Sequence, residues 1–506
     1  MPHQATSETP EALSELLRGG DAPALISPDD ETVTTHERLA ADVELLARRL
    51  AGAGLRHGDC IALALQNGRE MVELMLATAM LGATAAPLNP AYTRDEFAFY
   101  LDDLRPRLLL VPRGEANVAR TAASASTQLV DLVAAPGSAP ALFVDGKAAE
   151  PLSSIESGSA EDVALLLHTS GTTSRPKQVP LLQRNLMAST RTVAQHYRLG
   201  PDDISYCAMP LFHIHGLVAS TLGSLASGGS VVLPRRVAPR RFWNQARVAG
   251  VTWLSAGPTL HQMLLEQRDK EGPPSTLRFV RSCSSALSPA LMQRAEREYQ
   301  VPMLEAYGMT EASHQMSSNP LPPAPRPMGA VGIPTGTEIC IIDPAGRHLT
   351  EGEAGEVAIR GPGVTSGYLD NPEANAAAFL DGWFRTGDRG VLENGYLRLE
   401  GRLKELIIRG GENISPAEVE DVLKAHPAVA DAACFGIPDE KYGEEVGAAV
   451  SLSGDADERT LIAHCRERLT AVKVPKRLFF VPELPRTPTG KLQRRRIADA
   501  LLDQPT

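Results

Sequence analysis

Residues 165 to 181 read LLLHTSGTTSRPKQVPL, an apolar run that gives way to hydroxyls, one glycine, two prolines and two cations. These are the residue types that hold an anion. Ser170, Thr172, Thr173 and Ser174 offer hydroxyl donors. Gly171 lets backbone N–H groups approach without a Cβ in the way, and Lys177 adds a mobile positive charge. The stretch is not a GxxxxGK[ST] loop and not GxGxxG. A plain polar connection between a strand and a helix has the same composition, so composition alone leaves both readings open. A second pair, His213 and His215, has the HxH spacing of two metal ligands, but no third ligand is evident.

The elements around these residues alternate. VALLLHT (163 to 169) predicts a buried strand, and LQRNLMASTRTVAQHYRL (182 to 199) a helix. Further strands are expected at 230 to 234, 251 to 256, 277 to 283 and 301 to 307. Helices separate them, one with Ser288 as N-cap and Pro289 at its first position. Strand, helix, strand at this spacing predicts an α/β fold with parallel sheets. After about residue 335, TEICIID, GEVAIRG and GYLRLEG are short strands with glycine turns, a β-rich subdomain. GRLKELIIRGGENISPAEVE (401 to 420) opens a new unit, with SPAE (415 to 418) as a capping box. The expected division is therefore a large domain over 1–401 and a small α+β domain over 402–506. NPLPPAPRP (319 to 327) reads as a surface loop.

Bulk properties narrow the class. A chain of 506 residues suggests about three structural units, with 43% hydrophobic and 22% charged residues in ordinary globular balance. A net charge of -11 disfavours nucleic acid and anionic membrane surfaces as partners. The six cysteines include no CxxC pair and read as reduced thiols. The acidic, polar start is not a secretory leader, and LLDQPT at the end is not an organelle address. Cytoplasmic location is the expectation. LMLATAMLGATAAPL (74 to 88) is too short for a span and reads as a buried helix leading into a turn.

The order TSGTTxxPK resembles the phosphate-loop signature of the adenylate-forming superfamily, which includes acyl-CoA synthetases, luciferases and the adenylation domains of peptide synthetases. The resemblance continues in order through PLFHIHG (210 to 216), EAYGMTE (305 to 311), WFRTGD (383 to 388), the 401 to 420 stretch and PRTPTGKLQRR (485 to 495). It implies ATP and CoA as co-substrates, Mg²⁺ as cofactor and a small carboxylic acid as substrate. ATP would be held by Thr169, Ser170, Gly171, Thr172, Thr173 and Lys177, by Glu305, Ala306 and Tyr307, and by Asp388 with Arg402 at the ribose. Thr310 would bind the α-phosphate and Glu311 the magnesium, which prefers a carboxylate plus phosphate oxygens. Lys491 would be the catalytic cation, needed because a carboxylate attacking an α-phosphate brings two anions together. Lys404 maps to a hinge, and Gly410 and Gly411 to the path of the pantetheine arm. Gln178 departs from the family, which usually has glycine after the loop lysine.

The detailed wording is most similar to the oxalyl-CoA synthetase branch: Ser174 in the loop, RSCSSAL (281 to 287), TEASHQMSSNPLP (310 to 322) and IPDEKYGEE (437 to 445). This implies oxalate contacts at His213, Ser284 and His314. A small dianion needs a short, polar, partly cationic pocket, and histidine can become protonated beside it. A long-chain acid needs an apolar tunnel instead. Related malonate-activating enzymes carry arginine where Ala306 stands here, which argues against malonate. The rival expectations are another small or medium-chain acid, or a nucleotide-binding protein that has lost catalysis. Nothing in the sequence speaks to oligomeric state.

Overall fold

The computed structural model describes residues 11–114, 117–169, 176–487 and 490–502. Among these residues the strands form four sheets. The largest runs in the order Ile333–Pro334, His314–Ser318, Met303–Met309, Phe279–Ser282, Trp253–Ala256, Ile204–Cys207, Ser230–Val232, Pro23–Ser27, Thr32–Thr35. Its centre is parallel and its edges antiparallel. Helices cover both faces of such a sheet, so its strands are largely apolar. Phe279, Val280, Trp253 and Leu254 are accordingly buried. The expected helix after Ser288 forms as Pro289–Tyr299, with the Ser288 hydroxyl accepting from the Leu291 N–H at 3.3 Å.

A second, eight-stranded sheet carries Val163–Thr169 between Thr84–Pro87 and Lys177–Leu182. Here the structure differs from the strand-to-helix expectation. The chain that leaves Thr169 returns as the antiparallel strand Lys177–Leu182 before the helix Gln183–His196 begins. Val179 and Leu181 alternate inward along that strand and are fully buried, which fixes its register. The apolar run at 74 to 88 belongs to this layer. It is the end of the buried helix Arg69–Met80, a turn at Gly82 (φ 65°), and the strand Thr84–Pro87.

The β-rich region forms the third sheet, around Ala354–Arg360, Trp383–Glu393 and Tyr396–Arg402. The fourth lies in the smaller C-terminal domain, around Val429–Asp439 and Gly443–Leu452. That domain has its own core of Ile407, Ile414, Val419, Leu423, Cys434, Val446 and Leu461. Leu403 to Leu406 connect the two, tied back by the Leu403 N–H to the Gly387 carbonyl at 2.9 Å. The helix expected at SPAE starts at Pro416, but not through a capping box: the Ser415 side chain makes no cap bond. Glu418 instead accepts from Lys473 Nζ at 2.7 and 2.8 Å, so its carboxylate is held away from the helix start. Among the described residues no helix is long and apolar enough to cross a membrane.

Candidate active site

One cleft of about 2330 Å³ lies between the large domain and the C-terminal domain. It collects Thr169, Lys177, His213, Ser284, Glu305, Ala306, Tyr307, Thr310, Glu311, His314, Asp388, Arg402, Lys404 and Lys491 on its wall. Strand ends and connections deliver these groups. Thr169 and Lys177 face each other across the antiparallel pair. Glu305 to Tyr307 lie on Met303–Met309, and Thr310 and Glu311 form the short turn after it. Asp388 and Arg402 are register partners on adjacent strands. Ser170, Gly171, Thr172, Thr173 and Ser174 lie outside the described residues. Gly410 and Gly411 are not on this wall. They form the turn of the hairpin Ile407–Arg409 to Glu412–Ile414, with left-handed φ of 60° and 89°. Lys491, rather than the glycine pair, faces the cleft.

The end of the cleft around Asp388 is a chain of charge and hydroxyl contacts. Asp388 is buried and accepts from the Tyr307 hydroxyl, with Arg402 Nε 3.4 Å from its other oxygen. Burial raises the Asp388 pKa, while Arg402 and the Tyr307 bond oppose the rise. Lys491 is half-buried, and its pKa is lowered, first by desolvation and then by the charge of Arg402. Glu311 Oε1 accepts from the Tyr368 hydroxyl at 2.9 Å, and the Lys177 ammonium sits 4.4 Å above the same tyrosine ring. Tyr368 thus links the loop lysine to Glu311, a role that GYLD in the sequence did not signal. Burial pushes the Glu305 carboxyl up to about 8.

Gln178 has a structural explanation. Its Nε2 donates to the Asp103 carbonyl at 2.9 Å and to Asp103 Oδ2 at 2.6 Å, and His168 Nε2 lies 2.9 Å from the same carboxylate. The side chain anchors the start of Lys177–Leu182 to the helix Arg94–Leu104.

The other end of the cleft is polar but uncharged at its surface. His213, Ser284 and His314 meet there. His213 is held neutral, its pKa lowered to about 3 by burial and then by Lys491. His314 and His215 are also held well below the usual histidine range, first by burial; Arg281 adds to this at both rings. The fixed cation behind this end is Arg281. His215 is not half of a metal pair, because its two nitrogens face Ser284 Oγ at 2.9 Å and Ser255 Oγ at 2.6 Å. Among the described residues no group of three metal-ligating side chains comes together. Glu311, with Tyr368 on one oxygen, suits a magnesium ion that takes its other ligands from phosphates and water.

Arg281 and Ser255 were missed by sequence reasoning, and His215 was weighed only as a metal ligand. Arg281 sits in a strand buried on both faces, where one cation in LRFVRSC reads as an interruption. The available signal was positional. Ser255 and Arg281 are register partners near the C-terminal ends of neighbouring parallel strands, where ligands bind in open α/β sheets.

This arrangement, a two-domain α/β cleft with lysine and arginine cations on its wall and a small polar end, suits an enzyme that binds an anionic cofactor beside a small acid. The sequence descriptions agree: residues 15–369 match the AMP-binding enzyme family and residues 418–491 the AMP-binding enzyme C-terminal domain. The chain is 45% identical to the oxalate–CoA ligase of Arabidopsis thaliana, covering 93% of this chain and 94% of that one. It is 39% identical to the sulfoacetate–CoA ligase of Cupriavidus necator, covering 94% of each. Its fold superposes with a TM-score of 0.86 on the o-succinylbenzoate CoA synthetase of Bacillus subtilis in complex with the acyl-adenylate intermediate. That match has 32% identity and covers 98% of this chain and 99% of that chain. The chain belongs to the AMP-binding enzyme family and is an AMP-forming acid–CoA ligase that works through an acyl-adenylate.

Proposed function

We propose that the acid is oxalate, converted with ATP and CoA to oxalyl-CoA, AMP and pyrophosphate. The observation that carries this is the layer behind the acid end. Behind Ser284 and His314 stand His215 and Arg281, a polar layer with a buried cation where a long-chain acid would need an apolar channel. The 45% identical oxalate–CoA ligase supports the same reading. The 39% identical sulfoacetate–CoA ligase supports a second one, another short acid whose far end is anionic.

In the first step a carboxylate oxygen bonds to the α-phosphorus of ATP and pyrophosphate leaves. Lys491 offsets the negative charge gathered there, and Thr310 donates to the α-phosphate. Asp388, beside Arg402, accepts from the ribose hydroxyls. Thr169, Ser170, Gly171, Thr172, Thr173 and Lys177 hold the departing phosphates, and Glu305, Ala306 and Tyr307 border the adenine. Glu311 would hold Mg²⁺, which neutralises phosphate charge when bound. In the second step the CoA sulfur bonds to the acyl carbon and AMP leaves. The C-terminal domain, taken from residue 402, turns about Lys404 so that Gly410 and Gly411 replace Lys491 at the cleft. Their open, left-handed turn leaves room for a narrow arm beside the backbone.

ATP–pyrophosphate exchange over oxalate, malonate, sulfoacetate, a medium-chain acid and an aryl acid tests the substrate. Oxalate should give the highest kcat/KM. Strong exchange with the medium-chain or aryl acid and none with oxalate would reject the reading.

A further inference from the structure

Arg281 is fully buried, and among the described residues no carboxylate pairs with it. A guanidinium has five N–H donors and no acceptor. Here each donor meets a neutral partner. Nε donates to the Tyr197 hydroxyl at 2.7 Å. Nη1 faces Ser255 Oγ at 2.7 Å and His215 Nε2 at 3.3 Å. Nη2 faces His314 Nε2 at 3.0 Å and Gln315 Oε1 at 3.1 Å. A desolvated cation of this kind costs several kcal/mol unless an anion offsets it.

The contacts also favour one arrangement of the protons around it. Arg281 can only donate, so His314 Nε2 at 3.0 Å must accept; His215 Nε2, 3.3 Å from Nη1 and 2.6 Å from Ser255 Oγ, accepts as well when Ser255, which takes an Nη1–H at 2.7 Å, turns its own hydroxyl proton toward it. Each neutral ring then carries its single proton on Nδ1. His215 Nδ1–H donates to Ser284 Oγ at 2.9 Å, which leaves the Ser284 hydroxyl proton free to point elsewhere. His314 Nδ1 has no hydrogen-bond partner among the described residues and lies beside Gly308 of the cleft wall. Ser284 and His314 are both held at positive φ, 78° and 114°, a conformation that non-glycine residues keep only where the surroundings impose it. The two rings stack with centroids 5.0 Å apart.

We propose that Arg281 is a specificity-determining positioning residue. It locks His215 and His314 in the tautomers that turn Ser284 Oγ–H and His314 Nδ1–H into donors toward the cleft. Its own charge offsets the far carboxylate of a short dicarboxylic acid across that single layer of side chains. The inference rests on the oxalate reading above and explains how a neutral wall selects a dianion. The charged and titratable groups around the two rings are Arg281, His213 and His261, all cationic or neutral, so no carboxylate of the protein competes for this charge.

The test compares oxalate with glycolate, which keeps the reacting carboxylate and replaces the far one by a neutral hydroxymethyl group. Exchange kinetics are measured for the full-length wild type, Arg281→Gln and Arg281→Lys, with ATP binding by calorimetry as the control for folding. Arg281→Gln should lower the oxalate-to-glycolate ratio of kcat/KM by about 30-fold or more, chiefly through the KM for oxalate, with Arg281→Lys recovering part of the loss. A merely structural role would depress both acids alike. A ratio changed by less than about threefold in a variant that binds ATP overturns the proposal. If Arg281→Gln fails to bind ATP, ring ¹⁵N shifts of labelled histidine in the wild type decide. Both rings should read as Nδ1–H tautomers that do not titrate between about pH 6 and 8, and an Nε2–H tautomer at either ring overturns it. Failure of the wild type to use oxalate rejects the substrate reading itself. Oxalate use with an unchanged ratio in the variant rejects only the role of Arg281.

Discussion

The two ends of the cleft handle buried charge in opposite ways. At the nucleotide end the arginines have protein carboxylates in reach: Arg402 beside Asp388, Arg385 bound to Glu356 at 2.6 Å, Arg494 bound to Glu420 and Glu405 at 2.8 Å. At the acid end Arg281 faces only neutral acceptors. A self-compensated region is rigid and indifferent to its ligand's charge. A region left one anion short is complete only when the ligand supplies that anion. ATP arrives with its own counter-ion, so the first design suits it. A small acid has little surface to bind by, and unbalanced charge is the strongest handle it can be offered.

Lys491→Ala gives the largest expected effect, because Lys491 bridges both ends, lying near His213 on one side and near Arg402 and Asp388 on the other. Adenylation should fall about 10³-fold, while thioester formation from supplied acyl-adenylate falls far less. Single-turnover assays of the two half-reactions measure this, and unchanged adenylation removes Lys491 from the role given it. The same residue predicts a pH effect. Burial and Arg402 lower its pKa, so it loses its proton at lower pH than an ordinary lysine. The positive charge is present below that folded-state pKa and is lost as pH rises through it. kcat/KM, which reports the free enzyme, should therefore decline on an alkaline limb that begins below the usual lysine range of about 10.4. Lys491→Arg should remove that limb.

Asp388→Asn comes next and probes the compensated end. It leaves Arg402 without its counter-charge and replaces the ribose acceptor with an amide. The KM for ATP should rise about 30- to 100-fold, with the order of preference among acids unchanged. Ser284→Ala probes the other end. It removes one neutral donor and leaves His215 Nδ1–H unpaired. The KM for oxalate should rise about tenfold and the KM for ATP should stay within about twofold. If both variants changed acid preference equally, the contrast between the ends would dissolve.

The nucleotide end was the more legible half in the sequence for a physical reason. Glu311, Lys491 and Arg402 sit on turns and strand ends and Asp388 midway along Trp383–Glu393, all in polar motifs, so their spacing shows without the fold. Arg281 acts from inside a sheet, through Ser255 on the neighbouring strand and His215 from a connection some 66 positions away, and only strand register brings them together. The parallel strands were legible from their apolar runs, whereas the return strand Lys177–Leu182 was not, because Pro180 and two polar residues mask its alternation. The glycine pair was read as part of the second-step face, and its absence from this cleft wall fits a domain that presents one face at a time.

Gln178→Ala has the smallest expected effect and sharpens the contrast from outside both ends. Its amide closes a contact with Asp103 that His168 shares, so the helix Arg94–Leu104 stays tethered after the side chain is lost. Two hydrogen bonds from a half-buried amide are worth about 1 to 2 kcal/mol together, which in a chain of this size lowers Tm by only about 1 to 2 °C. Calorimetry should find that shift, and exchange kinetics should find acid preference unchanged. A changed preference would mean that the anchor of the loop strand reaches the acid end. The separation of a self-balanced nucleotide site from a charge-deficient acid site would then fail at its least conspicuous residue.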